Sequence, residues 1–127
     1  MRHARASIEV GAAVDEVWRL ISEFEQWPAW GPTVLAVESD ATAVGPGVTG
    51  RVKTAAGFWL PFEITEVEPG RSWNWKVAGI PATGHRVESL GDGSGRVEFT
   101  APIVIYPYVV VLRRGLRRLK ELAENGP

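Results

Sequence analysis

The C-terminal stretch from Pro102 to Glu124 constrains what this chain can fold into more than any other. From Tyr108 onward, apolar residues recur at Val111/Leu112, Leu116, Leu119 and Leu122/Ala123. That three-and-four spacing lines them along one face of a helix. Arg113, Arg114, Arg117, Arg118 and Lys120 fall mostly off the stripe, and positive charge toward a helix C-terminus suits its dipole. Pro107 fits the first turn, where its missing N–H costs nothing. Asn125-Gly126-Pro127 is a stop signal. A helix with so wide an apolar face, entered through Ile103-Val104-Ile105-Tyr106, needs a large apolar partner.

The residues before it read as that partner, a single antiparallel sheet. Ala6, Ile8 and Val10 alternate with Ser7 and Glu9, the pattern of a half-buried strand. Val14, Val17/Trp18, Ile21 and Phe24 then repeat at helical spacing, with Asp15 and Glu16 in the favoured first turn. Trp27-Pro28-Ala29-Trp30-Gly31-Pro32 cannot continue that helix and is expected to turn, with Trp30 meeting the first helix or the rim of a cavity. Strands are expected near Thr33–Ser39, Thr49–Thr54, Phe58–Glu68, Ser72–Ala78, Gly84–Leu90 and Arg96–Ala101. Gly- and Pro-rich separators between them mark hairpins and an antiparallel meander. The order is therefore one strand, a helix broken in two near Trp27, six strands and a long helix, an α+β fold of about seven strands in a single domain, 1–127.

Alternation assigns faces to these strands. Trp73, Trp75 and Val77 share one, as do Phe58, Leu60, Phe62 and Ile64, and likewise Val97, Phe99 and Ala101. The intervening Asn74, Lys76, Arg96 and Glu98 suit water, as when one face of an antiparallel sheet is solvated.

The totals narrow the function classes. The net charge is −1, so no global field points to nucleic acid or an anionic membrane. Without cysteine the chain has no disulfide framework, thiolate metal site or thiol nucleophile. His3 and His85 are the only histidines and neither has a carboxylate at ligand spacing, so no metal and no cofactor are expected. No apolar run follows Met1-Arg2-His3, and Ile103–Leu112 is too short to span a bilayer. A cytoplasmic protein without stable membrane insertion is the expectation. The six tryptophans are the compositional oddity.

Several motifs together carry a resemblance. Val14-Asp15-Glu16-Val17-Trp18 opens the first helix and Trp27-Pro28-Ala29-Trp30 follows it. Ile64-Thr65-Glu66-Val67-Glu68-Pro69-Gly70-Arg71 leads to Trp73 and Trp75. Gly84-His85-Arg86-Val87-Glu88 precedes a Gly-rich hairpin, and Leu119-Lys120-Glu121-Leu122-Ala123-Glu124 closes the chain. In this order and spacing they resemble the polyketide cyclase/dehydrase-like branch of the START-like (SRPBCC) superfamily. The resemblance implies a helix-grip fold, a strongly curved sheet wrapped around the C-terminal helix with an apolar cavity between them. It also implies a small hydrophobic ligand, polyketide- or lipid-like, and in some members cyclisation or dehydration.

Within that frame the expected ligand-lining residues are Phe58, Leu60 and Phe62 on one strand, with Trp73 and Trp75 on the next. His85, Val87 and Phe99 follow on the last two strands, with Trp30 above them. Tyr106, Tyr108, Leu112 and Leu116 come from the helix and its approach. His85 shares its face with Val87 and Ser89. It is either a polar group titrating near neutrality inside the cavity, able to orient a carbonyl or move a proton, or a structural histidine bonded to a backbone carbonyl. Tyr106 is its candidate partner in catalysis, or a core residue with its hydroxyl at the rim. Of Glu63, Glu66 and Glu88, the first and last fall off the apolar faces and Glu66 is ambiguous near its strand end, and Gly91-Asp92-Gly93-Ser94-Gly95 lies between strands, so neither a carboxylate pair nor a phosphate loop is expected. A binding or carrier module is the first reading and a cyclase/dehydratase using His85 with Tyr106 the alternative. The basic stripe of the last helix reads as a solvated face, or as a contact for an acidic partner or a membrane surface.

Overall fold

A computed structural model describes residues 3–31, 33–102 and 108–126. Strand β1 (His3–Val10) leads into helix α1 (Val14–Ser22), a 3-10 turn (Phe24–Gln26) and a one-turn helix α2 (Trp27–Trp30). Strands β2 (Val34–Glu38), β3 (Thr49–Thr54), β4 (Trp59–Glu68), β5 (Ser72–Val77), β6 (Ile80–Gly91) and β7 (Ser94–Pro102) follow. Helix α3 (Tyr108–Asn125) closes the order. The strands form one antiparallel sheet of seven in the order β1-β7-β6-β5-β4-β3-β2. β1 therefore returns to pair with β7, while β2 forms the opposite edge. Register shifts at Val34/Ala36, Ile64/Glu66, Asn74/Lys76 and Ser89/Gly91 bend the strands, as bulges do, and the sheet curves around its apolar face.

The expected α+β helix-grip architecture is what the structure shows. One local expectation is overturned. Trp27–Trp30 is helical, with Pro28 in the first turn, where proline needs no N–H partner and its fixed φ suits the helix. Glu23 is extended (φ −87°, ψ 124°), so the break falls before Phe24 and a new helix starts after it. The last expectation for this segment, Pro32, lies outside the described residues, as do Ile103–Pro107. β6 also begins at Ile80 rather than Gly84. Ala78 and Gly79 both take positive φ (52° and 78°), giving a two-residue turn that lets pairing start at once.

α3 packs on β1 and β7 and against α1 and α2. Its stripe behaves as the spacing requires: Leu116 and Leu119 are buried, Leu122 and Ala123 half-buried, and Arg113, Arg114, Arg117 and Arg118 exposed. The helix end is clipped to the β1–α1 junction. Lys120 Nζ donates to the Glu9 carbonyl (3.1 Å) and to Glu124 Oε2 (2.5 Å), which also accepts from the Gly11 N–H (2.6 Å). These contacts hold the carboxyl of Glu124 below the ordinary carboxylate range, the Lys120 bond contributing most.

Close packing explains one glycine. A Cβ on Gly50 would lie 2.4 Å from the Glu38 carbonyl oxygen and 2.7 Å from the Phe62 ring. Its absence lets β2, β3 and the Phe62 side chain come together.

Candidate ligand-binding site

The inner face of the sheet is an apolar wall whose depth follows the strands. Along β4 the inward residues run from Ile64 and Phe62, both buried, through half-buried Leu60 to Phe58, which is 57% exposed just before the strand. Along β5 and the start of β6 the sequence is Trp73, buried, then Trp75 and Val77, half-buried, and Ile80, 67% exposed and paired with Val77. Both rows stay apolar as they become exposed, and both open at the end of the sheet where β3 meets β4 and β5 meets β6.

The deep end of the wall is filled by aromatic rings. Trp27 of α2 stacks on Trp73 at 5.0 Å with an interplanar angle of 6°. On the other side of this cluster His85 stacks on Trp73 at 3.8 Å. Phe24, Phe62 and Trp75 meet Trp27 edge-on or tilted, and Trp30 lies against Phe99 at 5.3 Å. The indole N–H of Trp27 donates to the Ile21 carbonyl (2.9 Å) and that of Trp30 to the Leu20 carbonyl (2.8 Å), which tie α2 to α1. Trp30, expected to meet the first helix or the cavity rim, meets the helix: it is a buried core residue bonded to α1. The Trp73 indole nitrogen is buried without a hydrogen-bond partner among the described residues.

His85 sits on the inner face, as alternation placed it. Its Nδ1 is 3.3 Å from the Trp73 carbonyl, which can only accept, so Nδ1 carries the proton. Nε2 then accepts from the Thr83 hydroxyl at 3.0 Å, and the Thr83 oxygen accepts in turn from the Trp75 indole N–H at 2.9 Å. Every polar atom of this chain is used by neutral imidazole. Burial pushes the group from 6.5 down to about 3, against a smaller upward pull from the Trp73 carbonyl. The expectation of titration near neutrality is therefore corrected. A proton on Nε2 would face a hydroxyl that already points its own hydrogen there, inside a shell of rings.

Among the other expected site residues, Val87, Phe99 and Leu116 are core. Ser89 is exposed near the hairpin end, where its hydroxyl accepts from the Gly91 N–H. Tyr106 lies outside the described residues, as do the side chains of Tyr108 and Leu112. Arg86 is exposed on the outer face, and Arg51 is held there by Glu38 and by the Trp59 ring, 5.0 Å away. Glu63, Glu66 and Glu88 are exposed, and among the described residues no three His, Cys, Asp or Glu side chains gather as metal ligands. Thr83 was not foreseen. It stands two residues from His85 on one strand face, so alternation finds it once β6 is started at Ile80.

Comparison with known proteins bears on this geometry. The chain matches the family described as polyketide cyclase / dehydrase and lipid transport over residues 1–124. It belongs to that family. No curated protein matches it. Among solved structures it is similar to the XoxI protein of Bacillus cereus, with a TM-score of 0.75, 19% identity, and 97% of this chain and 96% of that one covered. It is also similar to the di-domain ARO/CYC protein BexL from the BE-7585A biosynthetic pathway, with a TM-score of 0.72 and 21% identity; 95% of this chain covers 46% of that one. A third similar structure is the Aha1 dimer of Colwellia psychrerythraea, with a TM-score of 0.75, 16% identity, and coverage of 99% and 98%. At these identities the likeness is one of fold. No helix among the described residues is long and apolar enough to cross a membrane.

Proposed function

We propose that this protein binds a small hydrophobic, ring-containing ligand between the sheet and α3, acting as a carrier or binding module. The observation that carries the reading is the gradient along the inner wall. Leu60, Trp75 and Val77 remain apolar where packing no longer covers them fully, and the rows continue apolar to the exposed rim. Ordinary strands change to polar residues where they leave the core, and an apolar wall that stays open is the usual lining of a ligand pocket. Membership of a family of cyclases, dehydrases and lipid transporters supports the same class of ligand.

The cyclase alternative is less supported by this chain's chemistry. A proton-transfer catalyst needs a group poised near the working pH and within reach of the substrate. His85 is held neutral down to about 3 with both ring nitrogens occupied, so it positions Trp73 and Trp75 rather than moving protons. Organic extraction of freshly purified protein and untargeted mass spectrometry should yield a bound hydrophobic compound. A neutral hydroxyanthraquinone should raise the melting temperature of stripped protein, since a ligand stabilises only the state it binds. No extractable compound and no thermal shift across polycyclic ketones, sterols and fatty acids would overturn the proposal.

A further inference from the structure

Helix α3 carries an arrangement that the ligand wall does not use. Between Arg113 and Lys120 it has five cations and no carboxylate. Arg113 and Arg117, like Arg114 and Arg118, stand four residues apart, where like charges repel across one helical turn. That repulsion works against the gain from placing positive charge toward the helix C-terminus. Arg113 and Arg117 do not face bulk solvent alone. Together with Leu116 they form one side of a cleft of about 580 Å³, whose other side is β1 from Arg5 to Ile8. β1 is an edge strand, so the cleft runs along the open margin of the sheet.

Arg5, Arg113 and Arg117 thus line one cleft, with no carboxylate among its described lining residues, in a chain whose net charge is −1. The ion pairs of the described residues leave all three aside. Glu9, the acid on β1, is 3.5 Å from Arg96 across the sheet, and Glu124 on α3 is taken by Lys120. The rest of the lining is Ser7 and the apolar Ala6, Ile8 and Leu116. Arginine's planar fork of donors matches phosphate oxygens, and several such forks around one space fit a group of charge −2 or more.

We infer that the β1–α3 cleft is a binding site for a phosphate-bearing ligand, its phosphate between Arg5, Arg113 and Arg117 and its organic part along Ile8 and Leu116. The phosphate belongs either to a free ester or to a lipid headgroup. The site lies at the seam of β1 and α3 and does not depend on the hydrophobic-ligand reading.

The test uses pyrophosphate, titrated into the full chain by calorimetry and by 31P NMR at constant ionic strength, so that general screening is held fixed. Saturable binding is expected. Arg113→Gln/Arg117→Gln should weaken it at least tenfold, the loss expected for charged hydrogen bonds, while Arg114→Gln, outside the cleft, should leave it within twofold. Thermal melts separate this role from a structural one. Removing repelling charges should leave the melting temperature of the double variant unchanged or raise it, whereas arginines that merely held α3 in place would lower it. A second arm measures sedimentation with phosphatidylcholine vesicles with and without phosphatidic acid. Binding to the latter that pyrophosphate displaces points to a headgroup, and its absence alongside pyrophosphate binding points to a soluble ester. The inference is overturned if sodium chloride matches pyrophosphate, if Arg114→Gln weakens binding as much as the double variant, or if pyrophosphate neither binds nor displaces the protein from phosphatidic acid vesicles.

Discussion

Replacing His85 with phenylalanine should change how stability depends on pH more than it changes stability itself. The ring keeps its place against Trp73, but Thr83 loses the acceptor of its hydroxyl and the Trp73 carbonyl loses the Nδ1–H. Leaving buried partners unpaired costs about 1–3 kcal/mol, and that is the expected deficit of the variant at pH 7.5. In the wild type the folded-state value lies near 3, below the ordinary 6.5. Between those two values the unfolded chain binds a proton that the folded one refuses. Stability is therefore full above about pH 6.5 and falls as the pH drops toward 3, by about 1.4 kcal/mol per unit. At pH 4.5, about two units into the window, the wild type should have lost about 2.7 kcal/mol that the variant keeps. The gap should close or reverse. Urea unfolding followed by tryptophan fluorescence at pH 7.5, 6.5, 5.5 and 4.5 measures it, and carboxylates and His3, common to both proteins, cancel in the difference. A difference constant across that range would refute the claim that His85 is held neutral by burial.

Other substitutions probe packing. Gly50→Ala should destabilise by about 1–3 kcal/mol, because the added methyl meets the Glu38 carbonyl and the Phe62 ring, and overpacking of a tight core has that cost; a thermal melt unchanged from wild type would contradict the contact. Leu119→Ala, at a fully buried position on α3, should cost about 2–5 kcal/mol in urea unfolding. Leu90→Ala, at an exposed position, should stay within about 0.5 kcal/mol. Glu124→Ala removes the acceptor of the Gly11 N–H and one of the two acceptors of Lys120, so hydrogen exchange should quicken at Gly11 and in the last turn of α3 and remain unchanged in β4.

Periodicity carried most of the fold. The α3 stripe, the β3 span Thr49–Thr54 and the inward placement of Trp73 and His85 were all readable, because burying one face imposes a repeat of 3.6 or 2 on the chain. The helical state of Trp27–Trp30 was not, since a proline reads as a break unless an extended residue upstream, here Glu23, is known to end the first helix and let a new one start. The wall residues Leu60, Phe62 and Trp75 were legible as a face, but not how far each is covered, which depends on α2 stacking Trp27 on Trp73. His85 was legible as an inward histidine and not as a neutral one. Its state is set by burial inside the aromatic cluster, whose depth no spacing rule gives.

The hydrophobic-ligand reading meets its sharpest test in the six indole N–H resonances of the protein. With 15N-labelled tryptophan and a neutral hydroxyanthraquinone added stepwise, the Trp75 signal should move saturably, because its ring stands where the inner wall becomes half-buried and its N–H is anchored on Thr83. Trp59, beside Arg51 on the outer face, should not move. A titration that leaves Trp75 in place, or that shifts Trp59 alone, would contradict binding on the inner wall.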